Sequence, residues 1–135
     1  MKYKLYVSGC CNNTRNLDSD MGIGGVILND NCKEVIFSKD VGKGTVIEAH
    51  VHAILYGIEE IINNGDVSSI EVYSTNLMII NYMNNKIIDI PIRIKPIIRN
   101  LMEFTEKLKL SINYEYLEVN DYKYVRNLAE EALRI

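Results

Sequence analysis

Tyr3, Leu5 and Val7 alternate with Lys4 and Tyr6, the period-2 pattern of a half-buried strand. A polar, turn-rich stretch from Asn12 to Asp20 follows. Gly22–Leu28 reads as a second strand with small residues at its start, Asn29-Asp30-Asn31 as a hairpin turn, and Lys33–Ser38 as the returning strand. Gly42 and Gly44 mark the exit. The period then changes. Ile47, Val51, Ile54, Leu55, Ile58 and Ile62 recur at helical spacing, and Asn63-Asn64-Gly65 is a stop signal. Ile70–Ser74 is a short strand, and Ser74 or Thr75 is placed to cap a short helix carrying Leu77, Ile80 and Met83. After a connector, Pro96 opens a helix in which Ile97, Leu101, Phe104 and Leu108 share a face. Leu110–Glu118 alternates through Ile112, Tyr114 and Tyr116. Asn120 or Asp121 caps a last helix built on Val125, Leu128, Ala129, Ala132 and Leu133. The predicted order is β-β-β-α-β-α-α-β-α, an α/β chain around a mixed five-stranded sheet, expected as a single domain over residues 1–135.

Composition narrows the function classes. A chain that is 47% hydrophobic and 24% charged has the balance of a folded protein, which excludes disorder. A net charge of −3 excludes nucleic-acid affinity from bulk charge, while leaving room for a local basic face. Three cysteines, of which Cys10 and Cys11 are adjacent, make no disulfide framework and favour a reducing compartment. The opening MKYKLYV enters strand pattern directly, without a signal-peptide profile. The isoleucine-rich Ile87–Ile98 segment is interrupted by Asp89, Pro91, Arg93, Lys95 and Pro96, so no membrane span is expected. The expected location is cytoplasmic.

Five short motifs, in order, resemble the ribonuclease H family. Tyr6-Val7-Ser8-Gly9-Cys10-Cys11 is similar to the family's first strand, (Y/F)-T-D-G-(A/S)-C, and Gly22–Leu28 to its glycine-led second strand. Ala49-His50-Val51-His52-Ala53-Ile54 resembles the helix pattern A-E-x-x-A-L. Val72-Tyr73-Ser74-Thr75-Asn76 is similar to (V/I)-x-T-D-S, and Val125–Ala132 to A-D-x-L-A-x-x-A. The likeness runs from Lys2 to Arg134 and implies a ribonuclease H-like fold of type 1.

It also implies an activity: hydrolysis of the RNA strand of an RNA–DNA hybrid by two divalent metals, Mg or Mn, held by four carboxylates. Carried over position by position, those carboxylates are replaced by Ser8, His50, Thr75 and Arg126. The formal charge at these positions moves from about −4 to about +1. Beside a dication, Arg126 contributes about 8 kcal/mol of repulsion at an effective dielectric near 20. The family's metal site is therefore expected to be lost, leaving no cofactor, no metal, no catalytic residue and a degenerate site of pseudoenzyme character.

Neighbouring carboxylates offer little replacement. Glu48 lies about 160° around its helix from His50, and Asp121 and Glu130 stand a turn or more from Arg126. Asp18 and Asp20 read as solvated turn residues. The four substituted positions converge in the family fold, so Arg126, His50, Ser8 and Thr75 form a candidate anion pocket for a phosphate or carboxylate. A Ser8–His50 nucleophile pair lacks an acid to orient the imidazole. A zinc site from Cys10, Cys11, His50 and His52 fails on direction, because each pair diverges.

The family contacts its duplex through asparagines, for which Asn12 and Asn13 are candidates, whereas Gly44-Thr45-Val46-Ile47 replaces the usual asparagine before the helix. Lys86, Arg93, Lys95 and Arg99 form the densest basic stretch, read as a solvated connector. The expected partner is accordingly an RNA–DNA hybrid or other nucleic acid, weakly bound. The alternative is a protein-interaction or dimerisation module, with a homodimer through Ile87–Ile98 and a tyrosine-rich end (Tyr114, Tyr116, Tyr122, Tyr124) as its surfaces.

Overall fold

The computed structural model describes residues 1–13, 15–86, 89–118 and 120–134. Its elements follow the predicted order: β1 (Lys2–Cys11), β2 (Ser19–Asn29), β3 (Glu34–Gly44), α1 (Val46–Asn63), β4 (Ser69–Ser74), α2 (Leu77–Met83), α3 (Lys95–Lys107), β5 (Ser111–Tyr116) and α4 (Lys123–Glu131). They form one five-stranded sheet in the order β3-β2-β1-β4-β5. β2 runs antiparallel to both of its neighbours, while β4 is parallel to β1 and to β5. Among the described residues, no helix is long and apolar enough to cross a membrane.

β1 is central, and its alternation is only half the story. Leu5 and Val7 are fully buried towards α1, as the period-2 pattern predicts. Ser8 is buried as well, because α4 closes the opposite face over the last part of the strand. A strand covered on both sides loses its polar face, which the alternation of Tyr3, Leu5 and Val7 does not announce. The main core, with Ile54, Ile58, Ile70, Ile79, Ile98 and Leu101, lies between the sheet and α1, α2 and α3. A smaller cluster of Val26, Val125 and Leu128 lies under α4.

Close approach of backbone explains two glycines. A Cβ on Gly9 would sit 2.5 Å from the backbone nitrogen of His50 and 2.8 Å from the Ala49 Cβ, so α1 rests directly on β1 there. A Cβ on Gly24 would sit 2.4 Å from the Ala129 nitrogen, which is where α4 rests on β2. The Ser38 hydroxyl of β3 fixes the same helix by donating to the Leu128 carbonyl at 2.6 Å.

Several boundaries differ from the sequence pattern. β2 begins at Ser19 rather than Gly22, and β3 continues through Gly44, because Ser19 pairs with Gly44 beyond a register shift between Asp20 and Gly22. The β2–β3 turn reaches Lys33: the Asn29 side chain accepts from the amides of Asn31 and Lys33, and Cys32 takes a left-handed φ of 59°. Asn76, not Ser74 or Thr75, caps α2 by accepting from the Ile79 amide, while the Ser74 hydroxyl accepts from Asn76. Leu77 is 50% exposed, so Ile79, Ile80 and Met83 make the buried face of α2. In α3 the buried stripe is Ile98, Leu101 and Thr105, with Ile97, Phe104 and Leu108 at its border. Thr105 is tolerated there because its hydroxyl donates to the Met102 carbonyl. The residue before α4 is Tyr122 and supplies no side-chain cap bond, so neither Asn120 nor Asp121 caps it. Ala132 and Leu133 fall beyond that helix.

The isoleucine segment divides. Ile94 and Ile98 enter the core, Ile90 and Ile97 border it, and Ile92 is 83% exposed. Ile87 and Ile88 lie outside the described residues. Gly9→Ala is expected to lower unfolding free energy by at least about 2 kcal/mol, since backbone rather than a flexible side chain must yield. A urea melt checks it, and an unchanged midpoint would show that α1 does not bear on β1.

Candidate functional site

Strand register brings the site together. Val7 of β1 lies beside Ser74 of the parallel β4, so Ser8 and Thr75, one step further along, emerge at the same sheet edge. The α1 contact at Gly9 sets His50 at that edge, and the α4 contact at Gly24 brings in Arg126. Ser8, His50, Thr75 and Arg126 line one open cleft of about 500 Å³, which Asn12 and Arg134 also line. The anticipated convergence is thus present in the geometry.

The charges around the cleft are already committed to one another. Glu48 is bonded by Arg93 Nε at 2.6 Å, and Arg93 also reaches Asp18 at 3.0 Å and the Leu17 carbonyl at 2.9 Å. Asp20 pairs with Lys43 at 3.2 Å and engages Asn12. Glu130 accepts from Arg126 Nε at 3.1 Å and lies 3.9 Å from Arg134. Along the cleft wall two guanidiniums face one carboxylate, a net charge of +1. No group of three or more His, Cys, Asp or Glu side chains among the described residues is arranged to hold a metal ion.

His50 is 5% exposed, and its Nδ1 is buried without a hydrogen-bond partner. Burial lowers its pKa to about 4, so at neutral pH it is an uncharged imidazole. Cationic character in the cleft therefore belongs to Arg126 and Arg134. Burial, followed by the charge of Glu130, raises the thiol pKa of Cys10, whose Sγ donates to the Ala129 carbonyl at 3.2 Å.

The remaining candidates sort by position. Asn12 lines the cleft, but its side chain is held by Asp20. Asn13 does not line it; its side chain accepts from the Arg15 amide in a local turn. Cys10 and Cys11 both line the cleft where β1 ends, and the Cys10 thiol turns under α4 to the Ala129 carbonyl. His52 is half-buried, and the cleft lining does not include it. The basic stretch is exposed, as expected, with Arg93 additionally drawn into an ion-pair hub, while Lys95 and Arg99 border a separate depression with Asp89 and Tyr82. Arg134 and Glu130 were the residues that sequence reasoning undervalued. Their signal is the four-residue spacing of Arg126, Glu130 and Arg134, which sets Arg126 and Glu130 one turn apart on α4 and Arg134 just past its end.

A family model for reverse transcriptase-like proteins matches residues 7–132. No curated protein gives a significant match. Among solved structures, LC11-RNase H1, isolated from compost by a metagenomic approach, is 18% identical with a TM-score of 0.85, over 98% of this chain and 95% of that one. RNase H1 from the halophilic archaeon Halobacterium salinarum is 17% identical with a TM-score of 0.80, over 98% of both chains. LC11-RNase H1 in complex with an RNA/DNA hybrid is 17% identical with a TM-score of 0.81, over 97% of this chain and 96% of that one. These likenesses establish a ribonuclease H-like α/β fold.

The buried imidazole carries a pH dependence. In the unfolded chain His50 titrates near 6.5 and in the folded one near 4, so between those values the unfolded state holds the extra proton. The stabilisation is complete above about pH 6.5 and is lost as pH falls towards 4, about 3 kcal/mol in all. Urea melts at pH 6.5 and pH 5 are expected to show a smaller stability loss in His50→Gln than in the parent chain. Equal losses would mean that His50 is not the group responsible.

Proposed function

We propose that this chain, which belongs to the reverse transcriptase-like family and has its ribonuclease H-like fold, is a non-cleaving member that holds a nucleic-acid backbone in the Ser8–His50–Thr75–Arg126 cleft. The observation that carries this reading is the fate of the carboxylates. Glu48 and Asp18 are paired with Arg93, Asp20 with Lys43, and Glu130 with Arg126. A pair of divalent cations needs several oxygen anions, and the residues at the family's four positions supply a hydroxyl, an imidazole, a second hydroxyl and a guanidinium. They do not fit such a metal pair.

They do suit a phosphate. Arg126 offers charged N–H donors, Ser8 and Thr75 offer hydroxyls at the sheet edge, and neutral His50 has an N–H to donate. LC11-RNase H1 has been solved with an RNA/DNA hybrid, and a foamy viral protease-reverse transcriptase with a hybrid and with dsDNA. A hybrid is therefore the first ligand to test. With two guanidiniums as the cationic contacts, affinity is weak and the log–log salt slope is about −2.

The dimerisation alternative through Ile87–Ile98 has less support, since Ile94 and Ile98 belong to the core of the same chain. A monomer at all concentrations is expected in sedimentation.

Anisotropy of a labelled RNA–DNA hybrid in Mg²⁺, at low and physiological salt, tests the proposal. Binding without strand cleavage is expected, weakened about tenfold or more by Arg126→Glu. No binding at low salt would remove the nucleic-acid reading. Multiple-turnover cleavage that His50 substitution abolishes would remove the non-cleaving one.

A further inference from the structure

The face of the sheet beneath α4 is only partly covered. α4 packs on β2, β1 and β3, while the outward residues of β4 (Ser69, Glu71, Tyr73) are half-buried and those of β5 (Ser111, Asn113, Glu115) are exposed. Four tyrosines form a continuous aromatic row at the margin of α4. Tyr6 stacks on Tyr73 with ring centres 4.7 Å apart, meets Tyr122 edge-on at 5.1 Å, and Tyr122 is followed by Tyr124 at 6.3 Å. Tyr124 is 44% exposed and the other three are half-buried.

Carboxylates surround this row. Glu115 lies beside Tyr73 in strand register. Glu71 accepts the Tyr73 hydroxyl at 2.7 Å, and the charge of Glu34 acts on Tyr122. The hydrogen bond to Glu71 is the largest cause raising the Tyr73 pKa, and burial is the largest for Tyr122. Lys4, between Leu28 and Glu71 in the next row, and Lys123, between Tyr122 and Tyr124 in the chain, are the opposing cations, while Asp121 precedes Tyr122, so four carboxylates face two ammoniums and leave a net charge of −2.

Stacked, neutral phenol rings inside a negative field suit a planar cation. A guanidinium gains from ring faces and carboxylates together, and it sheds water more readily than an ammonium. Nucleic acid is repelled by the same field. A second copy docking by two-fold symmetry would set Glu34, Glu71 and Glu115 against themselves. We propose that the Tyr6–Tyr73–Tyr122–Tyr124 row, with Glu34, Glu71 and Glu115, docks an arginine-bearing segment of a partner protein. This surface is separate from the cleft and does not rest on the nucleic-acid reading.

The test is an amide-shift titration of the isotope-labelled chain with an octapeptide of alternating arginine and glycine, repeated with lysine in place of arginine. Shifts are expected in β4, β5 and Tyr122–Tyr124, with the lysine peptide binding about fivefold more weakly. Glu115→Lys is expected to weaken the arginine peptide about fivefold, and Tyr73→Leu, which keeps an apolar side chain, by a similar factor. Glu59→Lys changes the net charge equally from α1, on the opposite face, and is expected to have less than about a twofold effect. Equal binding of the two peptides, or an equal loss from Glu59→Lys, would reduce the interaction to bulk charge and overturn the proposal. Shifts of the same residues on adding unlabelled chain alone would also overturn it, by making the face a self-contact.

Discussion

The site depends on the contact of α1 with β1. Two glycines make it possible, one from each element: Gly9 of the strand lies under Ala49 and His50, and Gly57 of the helix lies over Leu5. At Gly9 backbone meets backbone, at Gly57 the Leu5 side chain fills the space left by the missing Cβ, and the helix has little freedom to slide along the strand. The position of His50 follows from that fixed approach. So does its burial, because no room remains between helix and sheet for water to reach Nδ1.

The same geometry makes the sign of the cleft a matter of which side chains fill it. Strand register sets Ser8 beside Thr75, and α4 brings in Arg126, whatever their chemistry. In the resemblance these positions imply four carboxylates, whose mutual repulsion only bound cations relieve. Here the carboxylates near the cleft are paired with guanidiniums of the same chain. Arg93 joins the connector before α3 to Glu48 of α1 and to the Leu17–Asp18 loop, tying three segments through one guanidinium. Arg126 and Arg134 hold Glu130 in the same way. These ion pairs cross-link the segments that frame the cleft and leave its wall with a net charge of +1.

The motifs around Ser8, His50, Thr75 and Arg126 were legible because each combines a chemical residue with the apolar spacing of its element. The fold followed from the order of those elements. What the residue pattern does not carry comes mostly from contacts distant in sequence. β1 reads as half-buried because nothing near Ser8 tells of α4, more than a hundred residues later. The α3 stripe sits one position from the expected one because Thr105, polar by type, satisfies itself on Met102. Glu130, a turn from Arg126, does not take its place in the site but pairs with it, since a turn is the spacing at which helical side chains meet. The ion pairing of the exposed Arg93 does not show in the pattern because its partners Glu48 and Asp18 are 45 and 75 residues away.

α4 borders both surfaces. Tyr122 and Tyr124 at its start belong to the aromatic row, and Arg126 and Glu130, within two turns, face the cleft. Proximity alone does not couple two sites; that needs an element with two arrangements of similar energy. α4 is poorly placed to be one. Its middle is seated on Gly24 through Leu128 and Ala129, its Leu128 carbonyl is bonded by Ser38 of β3, and its Ala129 carbonyl by Cys10 of β1. Moving it would expose Val125 and Leu128 and break both bonds together. The helix therefore stands as a wall between a positive edge and a negative face, and a ligand at one is expected to leave the geometry of the other unchanged.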